Sequence, residues 1–218
     1  MVEYSNITNI PVVETFQKLG VDFYNRSNVL KIASELLGKL LVTQFDGKLS
    51  SGRIVETEAY AGEVDRASHA WNGRRTTRTE IMYGAPGTAY VYLCYGIHQM
   101  FNVVTNKKDI PHAILIRALE PVKGIDIMLQ RTKKIKADFT LTRGPGNLTK
   151  ALGIFTHHTG TGLMGDEIFI ADDGYKITKK DILATARIGV DYAGSDAELP
   201  YRFILKKNPY VSMTKKIN

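Results

Sequence analysis

A short stretch of this sequence, RIVETEAY at residues 53–60, has the composition of a buried β-strand and yet carries two glutamates. Side chains alternate between the two faces of a strand, so one face carries Ile54, Glu56, Glu58 and Tyr60. Carboxylates two residues apart lie about 6.6 Å from each other, and burying either one without a partner costs several kcal/mol. The two glutamates must therefore face solvent, a cation, or a pocket that uses them.

The size and charge of the chain limit its class. Its 218 residues are enough for one domain with a substantial hydrophobic core. It has 29 lysines and arginines against 22 aspartates and glutamates, which gives a net charge of +7. A basic balance favours a polyanionic partner, such as nucleic acid, an anionic membrane or a phosphorylated ligand.

The cellular location is constrained by features that the sequence lacks. Cys94 has no second cysteine to pair with, which is typical of proteins from a reducing compartment. The first residues do not have the pattern of a signal peptide, and no apolar stretch approaches the roughly 18 residues of a membrane span. The sequence therefore predicts a soluble cytoplasmic protein with no membrane partner.

No repeat, low-complexity tract or linker divides the chain, so residues 1–218 are predicted to form one domain, with 1–22 as a loosely ordered N-terminal segment. Residues 28–42 have the apolar stripe of a helix, with Asn28 at its N-cap. Residues 47–60 predict strands around a turn at LSSGR. Strands and helices follow one another without a βαβ rhythm. This predicts an α+β fold, with a curved antiparallel β-sheet core flanked by helices.

The segment 61–87 is polar, rich in glycine and arginine, and without clear periodicity. A long irregular segment inside a compact domain is usually either functional or disordered. Its clustered arginines, Arg74, Arg75 and Arg78, are explained about equally well as a solvated charged loop and as contacts to nucleic-acid phosphates. His69 lies in the same segment, where a lone histidine is most often simply solvated.

The stretch GTAYVYLCYGIHQMFNVVTN predicts a β-hairpin. Tyr90 and Tyr92 share one strand face, and Tyr95-Gly96 occupies the turn. A large aromatic side chain at a turn is exposed, and on a basic protein it suits stacking on bases or wedging between them. In the return strand Asn102 interrupts an apolar run, and a buried amide needs hydrogen-bond partners or a ligand.

The glutamate pair has three possible chemical uses and one structural use. Two carboxylates can hydrolyse a glycosidic bond, one carboxylate can act as base toward a water molecule, and two can bind a divalent metal ion. Alternatively, Glu56 pairs with a buried arginine or lysine, and the spacing alone slightly favours this structural use. Arg117 lies inside an apolar strand predicted at 112–121 and needs an anion, for which Glu56 or Glu58 is the natural partner.

Three longer stretches carry a family resemblance: GRIVETEAYAGEVDRASHAWNGRRTTR, PGTAYVYLCYG and ILIRALEP. They resemble the alkyladenine (3-methyladenine) DNA glycosylase family, of the type without a helix-hairpin-helix. Weaker similarity continues through LTRGPGNLTKALGI, ARIGV and NPYVS, so the resemblance extends over nearly the whole chain. The first two stretches are long and specific enough that chance explains them poorly.

The resemblance implies two catalytic residues. Glu58 matches the residue that activates the attacking water. Arg117 matches a residue near that water and near the phosphate beside the lesion. Glu56 matches no catalytic residue, which leaves it a structural role beside a nearby cation.

The resemblance also implies a pocket for an extruded base. Tyr60 and His69 match residues that pack on the flipped base from one side, and Tyr92 matches one that stacks on the other side. Asn102 matches a residue that screens the 2-position of the purine and so disfavours guanine. Tyr95 matches the aromatic residue that is inserted into the duplex in place of the extruded nucleotide.

These implied roles predict a monofunctional DNA glycosylase of base excision repair. It is expected to remove alkylated or deaminated purines, such as 3-methyladenine, hypoxanthine and ethenoadenine, from double-stranded DNA. It is expected to act as a monomer, without a metal ion or other cofactor, and to associate with the nucleoid if its source is a prokaryote.

Two other functions remain open at this point. One is a metal-dependent nuclease in which Glu56 and Glu58 hold Mg²⁺. The other is a non-catalytic nucleic-acid-binding module in which the two carboxylates only balance the charge of Arg117.

Overall fold

Nine antiparallel strands form one sheet in the computed structural model of the chain, which describes residues 17–212. In chain order the strands are β1 (Gln17–Lys18), β2 (Leu40–Phe45), β3 (Lys48–Tyr60), β4 (Ala89–Cys94), β5 (His98–Thr105), β6 (His112–Lys123), β7 (Ile168–Asp172), β8 (Ile182–Thr185) and β9 (Arg202–Leu205). Their order across the sheet is β1-β7-β2-β3-β6-β5-β4, and β9 pairs with both β3 and β8.

The helices complete an α+β fold, and they confirm the class that the sequence predicted. They are α1 (Val21–Tyr24), α2 (Val29–Leu36), α3 (Ile125–Thr132) and α4 (Pro145–Leu152). The main hydrophobic core forms where α2 contacts β3 and β6 and where α4 contacts β5 and β6. None of the helices within residues 17–212 has the length and apolar character that crossing a membrane requires.

The central strand β3 brings distant parts of the chain beside its two glutamates. Along one edge it pairs with β2 up to Arg53 and with β9 from Glu56 to Glu58. Along the other edge it pairs with β6, and the register shifts on both sides of Glu56. Such bulges redirect side chains and are frequent next to active sites. The bulge therefore marks the part of the sheet where Glu56 and Glu58 lie.

The irregular segment 61–87 packs against the opposite face of the sheet from the main core. Neighbouring residues of β5 show the division, because Val103 belongs to the main core and Val104 to a second, smaller cluster. That cluster also contains Met82 from the segment and Ala113 from β6. The segment is thus a packed loop with three short 3₁₀ turns rather than a solvated tether.

Two boundaries predicted from the sequence are wrong. The helix capped by Asn28 ends at Leu36 instead of continuing to residue 42, because Gly38 adopts a positive φ of 83° and the chain then enters β2. The LSSGR stretch is not a turn but lies inside β3. The turn comes earlier, at Asp46-Gly47, where both φ angles are positive as a two-residue hairpin requires. Of the segment 1–22, residues 1–16 lie outside the described part of the chain.

Candidate active site

Glu58 is a fully buried carboxylate held by three groups from different parts of the chain. Its Oε2 accepts a hydrogen bond from the Tyr60 hydroxyl at 2.8 Å. Its Oε1 accepts one from the backbone N–H of Ile188 at 2.8 Å. Arg117 forms an ion pair with it, with 3.3 Å between Nη1 and Oε2. A carboxylate has about four acceptor positions, so it can still accept a hydrogen bond from a water molecule.

Arg117 joins the two glutamates of the strand. It lies on β6, next to β3, and its Nε donates to Oε1 of Glu56 at 3.0 Å while Nη1 faces Glu58. Burial acts to lower the pKa of Arg117, but the charges of Glu58 and Glu56 outweigh this and raise it above its ordinary value. The arginine is therefore a fixed cation between the two carboxylates, whereas the sequence predicted a pair with one or the other.

Glu56 is fully buried, and its charge is neutralised by two arginines. Arg202 from β9 donates from Nε to the same Oε1 that Arg117 contacts, at 2.7 Å. The backbone N–H of Ser212 donates to Oε2 at 2.8 Å. The carboxylates of Glu56 and Glu58 and the guanidinium groups of Arg117 and Arg202 thus form a buried, charge-balanced cluster. Both oxygens of Glu56 are engaged in it.

Residues 186–192, which follow β8 and are called the strap below, provide the backbone contact of Ile188 with Glu58. The preceding residue, Arg187, makes a two-pronged ion pair with Asp65, at 2.6 Å and 2.8 Å, and donates to the backbone oxygen of Ala59 at 3.0 Å. These contacts fix the strap against β3 and the loop. They therefore orient the Ile188 N–H toward Glu58.

Tyr60 forms one wall of a small cavity beside Glu58. Burial, followed by the charge of Glu58, raises the pKa of its hydroxyl well above the ordinary value. The hydroxyl therefore keeps its proton and acts as a donor to Glu58. The Arg187 guanidinium lies 4.9 Å from the ring centroid of Tyr60 and supports that ring.

The other wall consists of His69, Tyr90 and Tyr92, whose rings contact one another. His69 lies edge-on to Tyr92, with 4.7 Å between the ring centroids, and Tyr90 lies 5.4 Å from Tyr92. The resemblance grouped His69 with Tyr60, but its ring belongs to the wall of Tyr92. The reason is a hydrogen bond between His69 Nδ1 and the Tyr90 hydroxyl, at 2.9 Å.

His69 is neutral at physiological pH. Its pKa is lowered to about 4, first by burial and then by the charges of Arg78 and Arg74. Arg78 is also in direct contact with it, with 3.0 Å between Nη2 and Nε2. Tyr92 keeps its proton, because burial raises the pKa of its hydroxyl well above the ordinary value.

The cavity between these walls has a volume of about 30 Å³. It is lined by Tyr60, Ala67, His69, Met82, Tyr90, Tyr92, Asn102, Ala113 and Tyr192. Asn102 is buried there and donates from Nδ2 to the backbone oxygens of Tyr90 and Met100, at 3.2 Å and 3.1 Å. Tyr192 lies at the edge of the cavity, is 71% exposed, and donates from its hydroxyl to the Ala67 oxygen at 3.1 Å.

Tyr95 lies apart from the cavity, at the tip of the β4–β5 hairpin. Both Tyr95 and Gly96 have positive φ angles, 50° and 72°, which form a tight two-residue turn. The Tyr95 side chain is 89% exposed. The exposed aromatic position that the sequence predicted is therefore present.

The three loop arginines have different surroundings. Arg75 is paired with Glu80 and Asp109, Arg78 contacts the aromatic wall, and Arg74 has no side-chain partner among residues 17–212. A groove of about 500 Å³ adjoins the cavity. It is lined by Arg66, Ser68, His69, Trp71, Arg74 and Tyr192. In the described part of the chain, no group of three or more histidine, cysteine or acidic residues is arranged to hold a metal ion.

Sequence reasoning missed four residues of this site. Arg187, Ile188 and Tyr192 come from the strap, and Arg202 comes from β9. None lies in a recognisable local pattern, and the contact of Ile188 is made by its backbone. Only the short ARIGV stretch, which contains Arg187 and Ile188, pointed toward this region.

Comparisons with a family model and with individual relatives point to the same protein family. A family model for methylpurine-DNA glycosylases matches residues 22–209. A relative from Desulfitobacterium hafniense is 43% identical over 204 residues, covering 90% of this chain and 99% of its own. One from Chlamydia felis is 46% identical over 196 residues, covering 89% and 97%. Both are named as 3-methyladenine DNA glycosylases. The chain belongs to the methylpurine-DNA glycosylase family, whose members are DNA repair enzymes.

Proposed function

We propose that this glycosylase flips damaged purines out of duplex DNA and hydrolyses the N-glycosidic bond with a water molecule activated by Glu58. The observation that carries the proposal is the position of Glu58, a buried carboxylate beside a fixed cation and next to an aromatic cavity. The substrate class is alkylated and deaminated purines, including 3-methyladenine, hypoxanthine and ethenoadenine.

Glu58 acts as the general base in this mechanism. Arg117 and the Ile188 N–H stabilise its ionised form, and the Tyr60 hydroxyl fixes its orientation. The water oxygen attacks C1′ of the sugar as the bond to the base nitrogen breaks, and its proton passes to Glu58. The bonding electrons leave with the base. The negative carboxylate also stabilises the oxocarbenium character that the sugar gains in the transition state.

The aromatic walls serve to hold an extruded base. A base inside a duplex is inaccessible, and extruding it costs a few kcal/mol, least for damaged or mispaired bases. Tyr60 on one side and Tyr92 with His69 on the other offer the ring faces on which a purine stacks. The cavity of about 30 Å³ has room for only one or two water molecules. The two walls must therefore move apart when a purine enters.

Selectivity and duplex distortion are assigned to two further residues. Asn102 lines the cavity and disfavours guanine, because the exocyclic amine of guanine would clash with the Asn102 side chain. Tyr95, exposed at the hairpin tip, fills the gap that the extruded nucleotide leaves in the duplex. The groove with Arg66, Arg74 and Trp71 adjoins the cavity, and its two arginines, which form no salt bridge within residues 17–212, suit the phosphates beside the lesion.

The surroundings of Glu56 disfavour the metal-dependent nuclease. Both of its oxygens accept hydrogen bonds from Arg117, Arg202 and Ser212, so the carboxylate pair is not available to coordinate a cation. An inserted divalent cation would also lie against two guanidinium groups. Charge repulsion makes this position unfavourable.

An excision assay run in parallel with Mg²⁺ and with EDTA tests the proposed function. Duplexes carrying one hypoxanthine, one ethenoadenine or one 3-methyladenine are incubated with the enzyme, and released base and strand cleavage are measured separately. The proposal expects free base and an intact strand that breaks only with heat and alkali. Strand nicks that EDTA abolishes would instead indicate a nuclease. Binding without release of any base would indicate a binding module.

A further inference from the structure

Arg78 occupies an unusual position behind the aromatic wall of the cavity. Its guanidinium carbon lies 4.7 Å from the ring centroid of Tyr92, and its Nε donates to the Tyr90 hydroxyl at 3.3 Å. Its Nη2 lies 3.0 Å from Nε2 of His69 and 3.4 Å from Nδ1. Arg78 does not line the cavity itself. It lines a separate groove that shares Tyr90 and Tyr92 with the cavity, so we infer that the arginine lies on the other side of this wall. One arginine thus contacts the three rings of this wall from behind.

The charge of Arg78 is not balanced by a neighbouring acid. The nearby Arg75 is paired with Glu80 and Asp109, whereas no carboxylate in residues 17–212 pairs with Arg78. Deeper in the site, Arg117 is compensated by Glu56 and Glu58. Among the groups facing His69, the tyrosines Tyr90 and Tyr92 are neutral and Arg74 is the second cation. The net field on this wall is therefore positive.

We propose that Arg78 is a specificity-determining residue that favours neutral damaged purines over permanently cationic ones. The proposal rests on the proposed function, because it assumes that the purine stacks on Tyr92. Arg78 would then help to select the base, a role that differs from the contact with a DNA phosphate considered from the sequence.

The physical reason is the distribution of charge across Tyr92. An aromatic ring attracts a cation to its negative faces, and Arg78 already uses one of them. A cationic purine on the other face would gain less from the ring and would be repelled by the guanidinium. A neutral purine, such as hypoxanthine, meets no such repulsion. The binding of a cationic lesion such as 3-methyladenine is therefore weakened more than the binding of a neutral lesion.

Arg78 also fixes the protonation of His69. A guanidinium can only donate hydrogen bonds, so His69 Nε2 must accept from Arg78. The proton of the neutral ring is then on Nδ1, which donates to the Tyr90 hydroxyl. The lowered pKa of His69, about 4, agrees with this arrangement. Arg78 is thus a positioning residue for His69 as well as a source of charge.

A ratio of excision rates tests the proposal. Single-turnover rates are measured on two duplexes that differ only in the lesion, hypoxanthine or 3-methyladenine, whose nucleotide carries a permanent positive charge. Each mutant rate is divided by the wild-type rate on the same lesion, so that the different leaving-group chemistry cancels. We expect Arg78→Gln to shift the relative rates toward 3-methyladenine by about two- to five-fold. Arg78→Lys, which keeps the charge, shifts them less.

Arg75→Gln is the matched control, because it removes a neighbouring loop arginine whose charge is already paired. It is expected to leave the ratio of the two lesions unchanged. An equal effect of Arg78→Gln on both lesions, or the same shift with Arg75→Gln, would overturn the proposal. In that case Arg78 contributes only to DNA binding or to structure.

An NMR titration of the His69 imidazole gives a readout that does not depend on activity. Removal of Arg78 takes away one cause of the lowered pKa, while burial and Arg74 remain. The pKa of His69 should therefore rise from about 4 toward, but not up to, 6.5 in Arg78→Gln. An unchanged pKa would contradict the positioning role. If the wild type excised no lesion, the proposed function and the specificity role of Arg78 would both fail, and this titration would still decide its positioning role toward His69.

Discussion

Arg202 and Arg117 donate to the same carboxylate oxygen of Glu56, at 2.7 Å and 3.0 Å. One residue from β9 and one from β6 therefore converge on a residue of β3 that does not itself line the cavity. Through this convergence Arg117 is held in place for its second contact, with Glu58. Glu56 is thus a structural anchor for the cation beside Glu58, the proposed catalytic carboxylate.

Glu56→Gln should destabilise the fold by about 3–5 kcal/mol, because the buried Arg202 would lose its counter-charge and Arg117 would lose one of its two. Urea-induced unfolding measures this difference. Glu35→Gln is the control, because Glu35 pairs with Arg26 in a partly exposed position where a salt bridge contributes about 1 kcal/mol or less. If Glu56→Gln abolished excision and left the unfolding free energy unchanged, a chemical role for Glu56 would replace the structural one.

Tyr60→Phe should lower the single-turnover rate by about 10- to 100-fold while leaving DNA affinity nearly unchanged. The ring remains for stacking, but Glu58 loses a hydrogen bond, and a bond to a charged group contributes about 1.5–3 kcal/mol. Tyr24→Phe is the control. The Tyr24 hydroxyl is buried without a hydrogen-bond partner among the described residues, so its removal should not change the rate. Equal rates for Tyr60→Phe and wild type would contradict the positioning role.

The residues that sequence reasoning identified are mostly those that a local pattern brings together. Glu58 and Tyr60 are two apart on one strand, and Tyr90 and Tyr92 repeat that spacing on β4. The hairpin turn at Tyr95 was predictable because a large residue before a glycine between two apolar runs has few other positions. These features depend only on neighbours in the sequence.

The residues that remained hidden depend on long-range contacts. Arg202 is 146 positions from Glu56, and Ile188 is 130 positions from Glu58. The side of the cavity on which His69 lies is decided by Tyr90, from another segment. The overlong helix at 28–42 has a different cause. Its last residues are apolar in a way that fits both a helix and a strand, and pairing with β3 decides between them.

Tyr95→Ala should leave the stability within about 0.5 kcal/mol of wild type, because the side chain is exposed. It should reduce excision from duplex DNA by about 5- to 100-fold, since stacking on a base contributes roughly 1–3 kcal/mol. Excision of the same lesion from single-stranded DNA is measured for comparison. A single strand has no gap to fill, so Tyr95→Ala should reduce this excision rate less. Ile135→Ala, another fully exposed apolar residue, is the control and should change neither rate. An equal loss on both substrates would contradict the wedge role.

The stability of the protein should depend on His69 between pH 7 and pH 5. The folded-state pKa of His69 is lowered to about 4 against an ordinary value of 6.5, so the unfolded chain binds more protons in this range. The contribution of His69 is therefore complete above pH 6.5 and is lost as the pH falls toward 4. It amounts to at most about 2 kcal/mol between pH 7 and pH 5.

Urea unfolding of wild type and His69→Gln at both pH values isolates this contribution. The difference between the two proteins removes the effect of other histidines with lowered pKa values, His112 and His158. The wild type should lose more stability on acidification than the variant does. Equal losses would show that His69 titrates near its ordinary pKa.

The most direct measurement of the central claim compares wild type with Glu58→Gln in single-turnover excision of hypoxanthine from a duplex, in EDTA. Binding of the same duplex is measured in parallel. We predict that wild type releases the base and leaves an alkali-labile strand, while Glu58→Gln binds the duplex with similar affinity and releases at least about 100-fold less base. A folded Glu58→Gln variant that excised the base at the wild-type rate would contradict the assignment of Glu58 as the catalytic base.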